Sequence, residues 1–225
     1  MMARLIFVVL WLGFVGYGFL LAPPDQPDTA DLILRLSTGA WDGLNPAVIA
    51  VFNAMGVWPL VYAAVALVDG RGQRLWAWPF VVASFAVGAF ALLPYLALRA
   101  PVPWVGPADR LVRILERRMF GAGLAVAAGV ILVWGLLAGD WPAFWHQWQT
   151  SRFVHVMTLD FCALWGLFPV LLVDDLPRRN LGDQRWIIPA VLALPLVGAA
   201  LYLALRPPLP EASLAPAEVA TPVQI

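Results

Sequence analysis

The sequence predicts an all-α integral membrane protein with six transmembrane helices. Of its 225 residues, 62% are hydrophobic and 12% charged, against about 25% charged in a soluble domain. Mean hydropathy is +0.80. The apolar residues also gather into six runs, each near the ~20 residues that a bilayer core requires of a helix. They are Leu5–Ala22, Pro46–Val68, Pro79–Leu98, Phe120–Gly139, Phe153–Val173 and Ile187–Leu205. One bundle over 1–207 is expected, followed by a Pro/Ala-rich tail, 208–225, expected to be disordered.

The first run follows Arg4 and lacks an A-x-A-like cleavage site. It is longer than the ~7–15 residue core of a signal peptide, so a retained helix is expected. The connector 28–41, DTADLILRLSTGAW, mixes Leu and Ile with Asp31 and Arg35 and is expected to lie flat on the membrane. Pro59, Pro94, Pro169 and Pro195 fall inside runs, where each removes a backbone hydrogen bond. Between the third and fourth runs, ADRLVRILERR (108–118) sets Leu111, Ile114 and Leu115 against Arg110, Arg113, Arg117 and Arg118. That is a basic amphipathic turn suited to an anionic leaflet. In the fourth run Gly121, Ala125 and Gly129 recur every four residues, followed by Gly135 and Gly139. Small residues at that spacing let backbones approach closely and mark a candidate surface for other membrane proteins. Tryptophans cluster at the run ends (Trp41, Trp76, Trp104, Trp141, Trp186), where an amphipathic ring suits the headgroup level.

Two halves resemble each other. The third run ends YLALRAP (95–101) and the sixth YLALRPP (202–208), 107 positions on. VALVDG (65–70) matches VLLVDD (170–175) at an offset of 105, and Trp58 aligns with Trp165 at 107. These pairs define candidate repeats 1–101 and 108–208. Three spans per repeat give a 3+3 inverted repeat, a plan common in transporters. Chance matching among Leu, Ala and Val is the alternative. With six spans and the N-terminus outside, nine of the 14 Arg fall inside, which leans N-out. The acidic first loop, with Asp25, Asp28, Asp31 and Asp42, favours the reverse.

The polar residues inside the runs are the functional candidates. Asp160 lies in SRFVHVMTLDF (151–161), and an offset of 107 brings it onto Asn53. An ionised carboxylate in lipid costs several kcal/mol, so Asp160 is expected to face the bundle interior with Asn53 or a tyrosine hydroxyl in reach. A helix-packing hydrogen bond and a proton- or ion-coupled site are both open for it. Arg152 and His155, three apart, share a helix face. His155 and Asp160, five apart, diverge by about 140°. His155 is a candidate axial ligand for a haem or chlorophyll, and an interfacial hydrogen-bonding residue is the plainer alternative.

Other classes are disfavoured. Net charge is zero, which implies no nucleic acid partner. Cys162 is the only Cys, so neither an intramolecular disulfide nor a Cys-rich metal site is expected. H-E-x-x-H, G-x-S-x-G and P-loop motifs do not occur, which speaks against catalysis. Three functions stay open: a non-enzymatic accessory or assembly factor of membrane complexes, a small secondary transporter with Asp160 as coupling residue, and an enzyme acting on a lipid or isoprenoid.

The stretches WDGLNPAVIAVFNAMGVWPLVYA, GAFALLPYLALR, WQTSRFVHVMTLDF and PLVGAALYLALRP together resemble a family of small polytopic membrane proteins from cyanobacteria, with distant plastid relatives. The resemblance runs over about residues 5–207. It implies the plasma or thylakoid membrane of a phototroph and a role around photosynthetic complexes. It implies no catalytic residue.

Overall fold

The computed structural model describes residues 2–102, 104 and 108–210, and every regular element among them is helical. The tail expected to be disordered lies, from 211 on, outside the described residues. Among the described residues, four helices are long and apolar enough to cross a membrane. They are α1 (Met2–Gly16, continued by a π-helical turn, Tyr17–Leu21), α3 (Pro46–Asp69), α7 (Arg118–Ala138) and α9 (Arg152–Arg178).

The local sequence explains where these helices begin. Asn45 caps α3 by accepting the Ala47 N–H at 3.0 Å, with Pro46 in the first turn. Its amide also donates to the Asp140 carbonyl, 2.8 Å away beyond the end of α7. Two amphipathic helices, α2 (Thr29–Thr38) and α8 (Trp141–Thr150), occupy the same end of the bundle. Leu36 of α2 is buried in a small cluster with Val48, Ile49, Val154 and Met157.

The third and sixth apolar runs are not single helices, and four long helices stand where six were expected. Residues 79–98 fold as α4 (Trp78–Val87) and α5 (Ala89–Leu98), broken at Gly88. Gly88 has φ +51° and ψ −126°, a conformation that only glycine adopts without strain. Residues 187–205 fold as α10 (Ile187–Leu192) and α11 (Val197–Leu205). That break centres on buried Leu196, at φ 62°, where the Val197 N–H reaches the Pro195 carbonyl at 2.6 Å. This is a γ-turn, costly for a residue with a Cβ and held by the packing around it.

Each broken pair is a hairpin whose two ends lie at one end of the bundle. A Cβ built on Gly70, just after α3, would sit 2.7 Å from the Ala77 Cβ, at the start of α4. Beyond the end of α5, the Ala100 N–H donates to Gln73 at 2.7 Å. Arg99 pairs with Asp69 at 2.8 Å. The tip, Gly88–Ala89, meets Asp160 in the body of α9. Ten residues per arm give roughly 15 Å, half the hydrocarbon thickness. In the second hairpin, Arg206 beyond α11 meets Asp175 near the end of α9. Its tip is held where Trp165 Nε1 donates to the Leu192 carbonyl at 3.1 Å.

Helices α3 and α9 run in the same direction. Val48 packs near Val154 at one end. Trp58 lies against Phe161 and Phe168, and the Tyr62 hydroxyl donates to the Leu164 carbonyl at 2.6 Å. Asp69 meets Arg178 at the other end. The α1 helix packs along α5, with Trp11 Nε1 donating to the Phe90 carbonyl at 2.9 Å. Likewise α7 packs along α11. The order span, surface helix, span, hairpin therefore occurs twice in the same sense, and the expected inversion is absent from α3 and α9. The short helix α6 (Arg110–Leu115) joins the halves, capped by Asp109, which accepts the Val112 N–H at 2.8 Å.

This topology redistributes the charges. Of the 14 Arg, all but Arg35 and Arg152 lie at the end where Asp69 and Asp175 sit. The nine-to-five division expected from six spans does not hold, because neither hairpin carries the chain to the opposite end.

Candidate functional site

The most distinctive chemistry lies where the hairpins meet the long helices. Asp160 projects inward from α9 and is buried. Its Oδ1 accepts the Ala89 N–H at 2.7 Å. A carboxylate from one helix thus caps the first turn of another, satisfying an orphan donor and opposing the positive end of its dipole. Gly88 is required twice over, since a Cβ there would fall 1.7 Å from Asp160 Oδ2. Asp160 faces the interior as expected, but its bond is to this backbone. The Asn53 amide donates to Ile49 of its own helix at 2.8 Å, and the Tyr62 hydroxyl bonds Leu164. The sequence alignment of Asn53 with Asp160 therefore does not become a contact.

At the arginine-rich end, two acid–tyrosine–arginine latches close the hairpins. Asp69 accepts the Tyr95 hydroxyl at 2.6 Å and Arg99 Nη1 at 2.8 Å. Asp175 accepts the Tyr202 hydroxyl at 2.7 Å and Arg206 Nη1 at 3.2 Å. Each arginine then crosses to the other half. Arg99 Nη2 donates to the Val170 carbonyl, and Arg206 Nη2 to the Ala64 carbonyl, both at 3.0 Å. Both acids are fully buried. Outer groups complete the clusters: the Arg178 guanidinium and the neutral Gln73 amide on Asp69, and Asp174 on Arg99. Glu116 takes Arg179 bidentately, at 2.7 and 2.8 Å, and Arg206 at 2.6 Å. Burial opposes the charge on Arg179, yet Glu116 and Asp175 hold its guanidinium above the ordinary arginine value.

These latches refine the sequence repeat. Matching VALVDG to VLLVDD pairs Asp69 with Asp174, but Asp175 plays the equivalent part. Gln73 and Arg179, each four residues beyond its acid, reach back to it. Trp58 and Trp165 are not equivalent. Trp165 holds the second tip, whereas the buried Trp58 Nε1 has no partner among the described residues.

His155 and Arg152 sit at the opposite end. His155 Nδ1 is 2.8 Å from the Trp148 carbonyl and Nε2 2.8 Å from the Tyr17 hydroxyl. A carbonyl only accepts, so Nδ1 carries the proton and Nε2 accepts from Tyr17 in the neutral ring. Trp148 stacks on the imidazole, centroids 4.2 Å apart. Ligation of a haem or chlorophyll metal at Nε2 requires Tyr17 to move away. Arg152 donates to the Pro23 carbonyl at 3.0 Å and fixes the segment leaving α1. These two candidates join α1 to α9 at one end, apart from the latches.

The small residues of α7 are largely used within the chain. A Cβ on Gly121 would lie 2.3 Å from the Ala204 nitrogen of α11. One on Gly135 would lie 2.3 Å from the Ala50 Cβ, and one on Gly139 2.9 Å from the Ala47 Cβ. Ala125 packs against the core. Only Gly129 of this set faces open space.

Sequence reasoning passed over Arg99, Arg206 and Tyr202 as site residues, although the repeated YLALR carried them, and Tyr95, a candidate partner for Asp160, bonds Asp69 instead. Gly88 also left a signal, as a glycine midway through an apolar run. Compared with family models, curated proteins and solved structures, the chain matches none.

Proposed function

We propose that this chain is a polytopic membrane protein without catalytic activity that accompanies or helps assemble larger membrane complexes. The carrying observation is that the internal ionisable groups are consumed by its own architecture. Asp160 caps α5, and Asp69, Asp175 and Glu116 are held by Arg99, Arg178, Arg179 and Arg206. Specific contacts with other molecules then fall to the outer surface, including the face of α1 that does not pack on α5, where Leu5, Ile6, Val9 and Leu12 are exposed. The family resemblance supports the plasma or thylakoid membrane of a phototroph as the setting.

In this reading the two hairpins are re-entrant, entering the bilayer about halfway and returning. The spans are then four, and the duplication is parallel, about an axis along the membrane normal. The positive-inside rule supports placing the arginine-rich end, with both ends of the helical region, in the cytoplasm.

Purification from native membranes in mild detergent, with identification of co-purifying polypeptides, tests the role. The proposal expects a discrete complex containing other membrane proteins. Recovery of the chain alone, under conditions that preserve known complexes, contradicts it. Secondary transport is the second reading, favoured by the N-termini of α5 and α11 both ending at hairpin tips, the arrangement of broken-helix transporters. Solute flux in proteoliposomes that disappears in Asp160→Asn would establish that reading instead.

A further inference from the structure

The arginines at the end of the bundle where Asp69 and Asp175 sit include two sets with different work. Arg178, Arg179, Arg99 and Arg206 are turned inward and neutralised. Arg110, Arg113, Arg117 and Arg118 are exposed, and none of the ion pairs among the described residues includes them. The single acid within 110–118 is Glu116, and it points into the bundle, captured by Arg179 and Arg206. The outward face of α6 therefore presents arginines beside exposed Leu111 and Ile114, with the one nearby acid, Asp109, paired to Arg71 at its start.

That face is also fixed in place. Val112 and Leu115 are buried beneath it, Asp109 caps the helix, and Glu116 ties its end to α9 and to the residue after α11. Arg110, Arg113, Ile114 and Arg117 together line one open surface cavity of about 410 Å³. Leu111 and Ile114 are exposed among the arginines, which offers apolar contact beside the charge.

We propose that this cavity binds the phosphate of an anionic phospholipid headgroup, with Arg110, Arg113 and Arg117 as its donors and Ile114 and Leu111 against the acyl-chain region. Charge complementarity selects the ligand: guanidinium forks match phosphate oxygens, and an anionic leaflet presents phosphates at the depth of an amphipathic helix. The site does not depend on the assembly role, nor on which way the chain crosses the membrane.

The test uses the full-length chain in nanodiscs of phosphatidylcholine mixed with phosphatidylglycerol, reading the enrichment of phosphatidylglycerol retained on the protein by native mass spectrometry. Each arginine near an anionic surface contributes about a fivefold preference at low salt. The triple variant Arg110→Gln, Arg113→Gln, Arg117→Gln should lower enrichment roughly tenfold or more. The corresponding Lys triple should keep much of it, and Arg74→Gln, an exposed arginine at the same end, should leave it unchanged. If the Gln triple retains full enrichment while remaining monodisperse, the proposal is overturned. If the Gln triple misfolds, the Lys triple decides: loss of enrichment in a folded Lys triple, whose charge is intact, also overturns it. Displacement of the lipid by millimolar inorganic phosphate would assign the site to free phosphate rather than to a headgroup.

Discussion

At the scale of single residues, Asp160 and Gly88 act as one unit. The carboxylate caps the Ala89 N–H in the space that a side chain on residue 88 would fill. Asp160→Asn keeps an acceptor oxygen of the same shape and is expected to shift the melting temperature in detergent little. Asp160→Leu leaves the buried N–H without a partner and is expected to cost about 1–3 kcal/mol. Gly88→Ala combines positive φ with a collision and is expected to cost more than either, above about 2 kcal/mol. Thermal unfolding of the three variants checks the order. A cost for Asp160→Asn equal to that of Asp160→Leu would mean that the charge, not the acceptor, matters. That Asp160 faces inward was legible, because a carboxyl in an apolar run has few other places to go. Its partner was not, since a backbone N–H freed by a break in a distant helix leaves no mark in side-chain patterns.

At the scale of elements, the hairpins depend on their latches. Removing one partner of a buried ion pair typically costs about 3–5 kcal/mol. Arg99→Gln and Arg206→Gln are therefore each expected to destabilise strongly, and Tyr95→Phe by about 1 kcal/mol. If the halves are equivalent, the two arginine variants should lose similar stability in chemical denaturation. A large loss in only one would show that the resemblance does not extend to energetics. Helix α7 offers a separate check. Gly135→Leu should overpack the α3–α7 contact and cost about 1–3 kcal/mol, whereas Gly129→Leu, in open space, should be tolerated. Its small-residue spacing was readable as close approach, but sequence alone does not say whether the approaching helix belongs to the same chain. The hairpins were hidden for a similar reason. Hydropathy measures a run's total apolar length, and two ten-residue arms total the length of one span. The decisive signals were single residues, Gly88 and the Pro195–Leu196 turn, inside otherwise uniform runs.

At the scale of the whole molecule, the two proposed re-entrant hairpins make the halves parallel and gather all but two of the arginines at one end. The repeat itself was visible in YLALR, yet its sense was not, because counting spans from hydropathy fixed three per half and so forced an inversion. Labelling with a membrane-impermeant thiol reagent tests this topology most directly. On a Cys162→Ala background, single cysteines at Arg74 and Arg113 flank the first hairpin. The account predicts that both label only from the cytoplasmic side. Labelling of the two from opposite sides of the membrane would mean that residues 79–98 cross it, and would contradict the account.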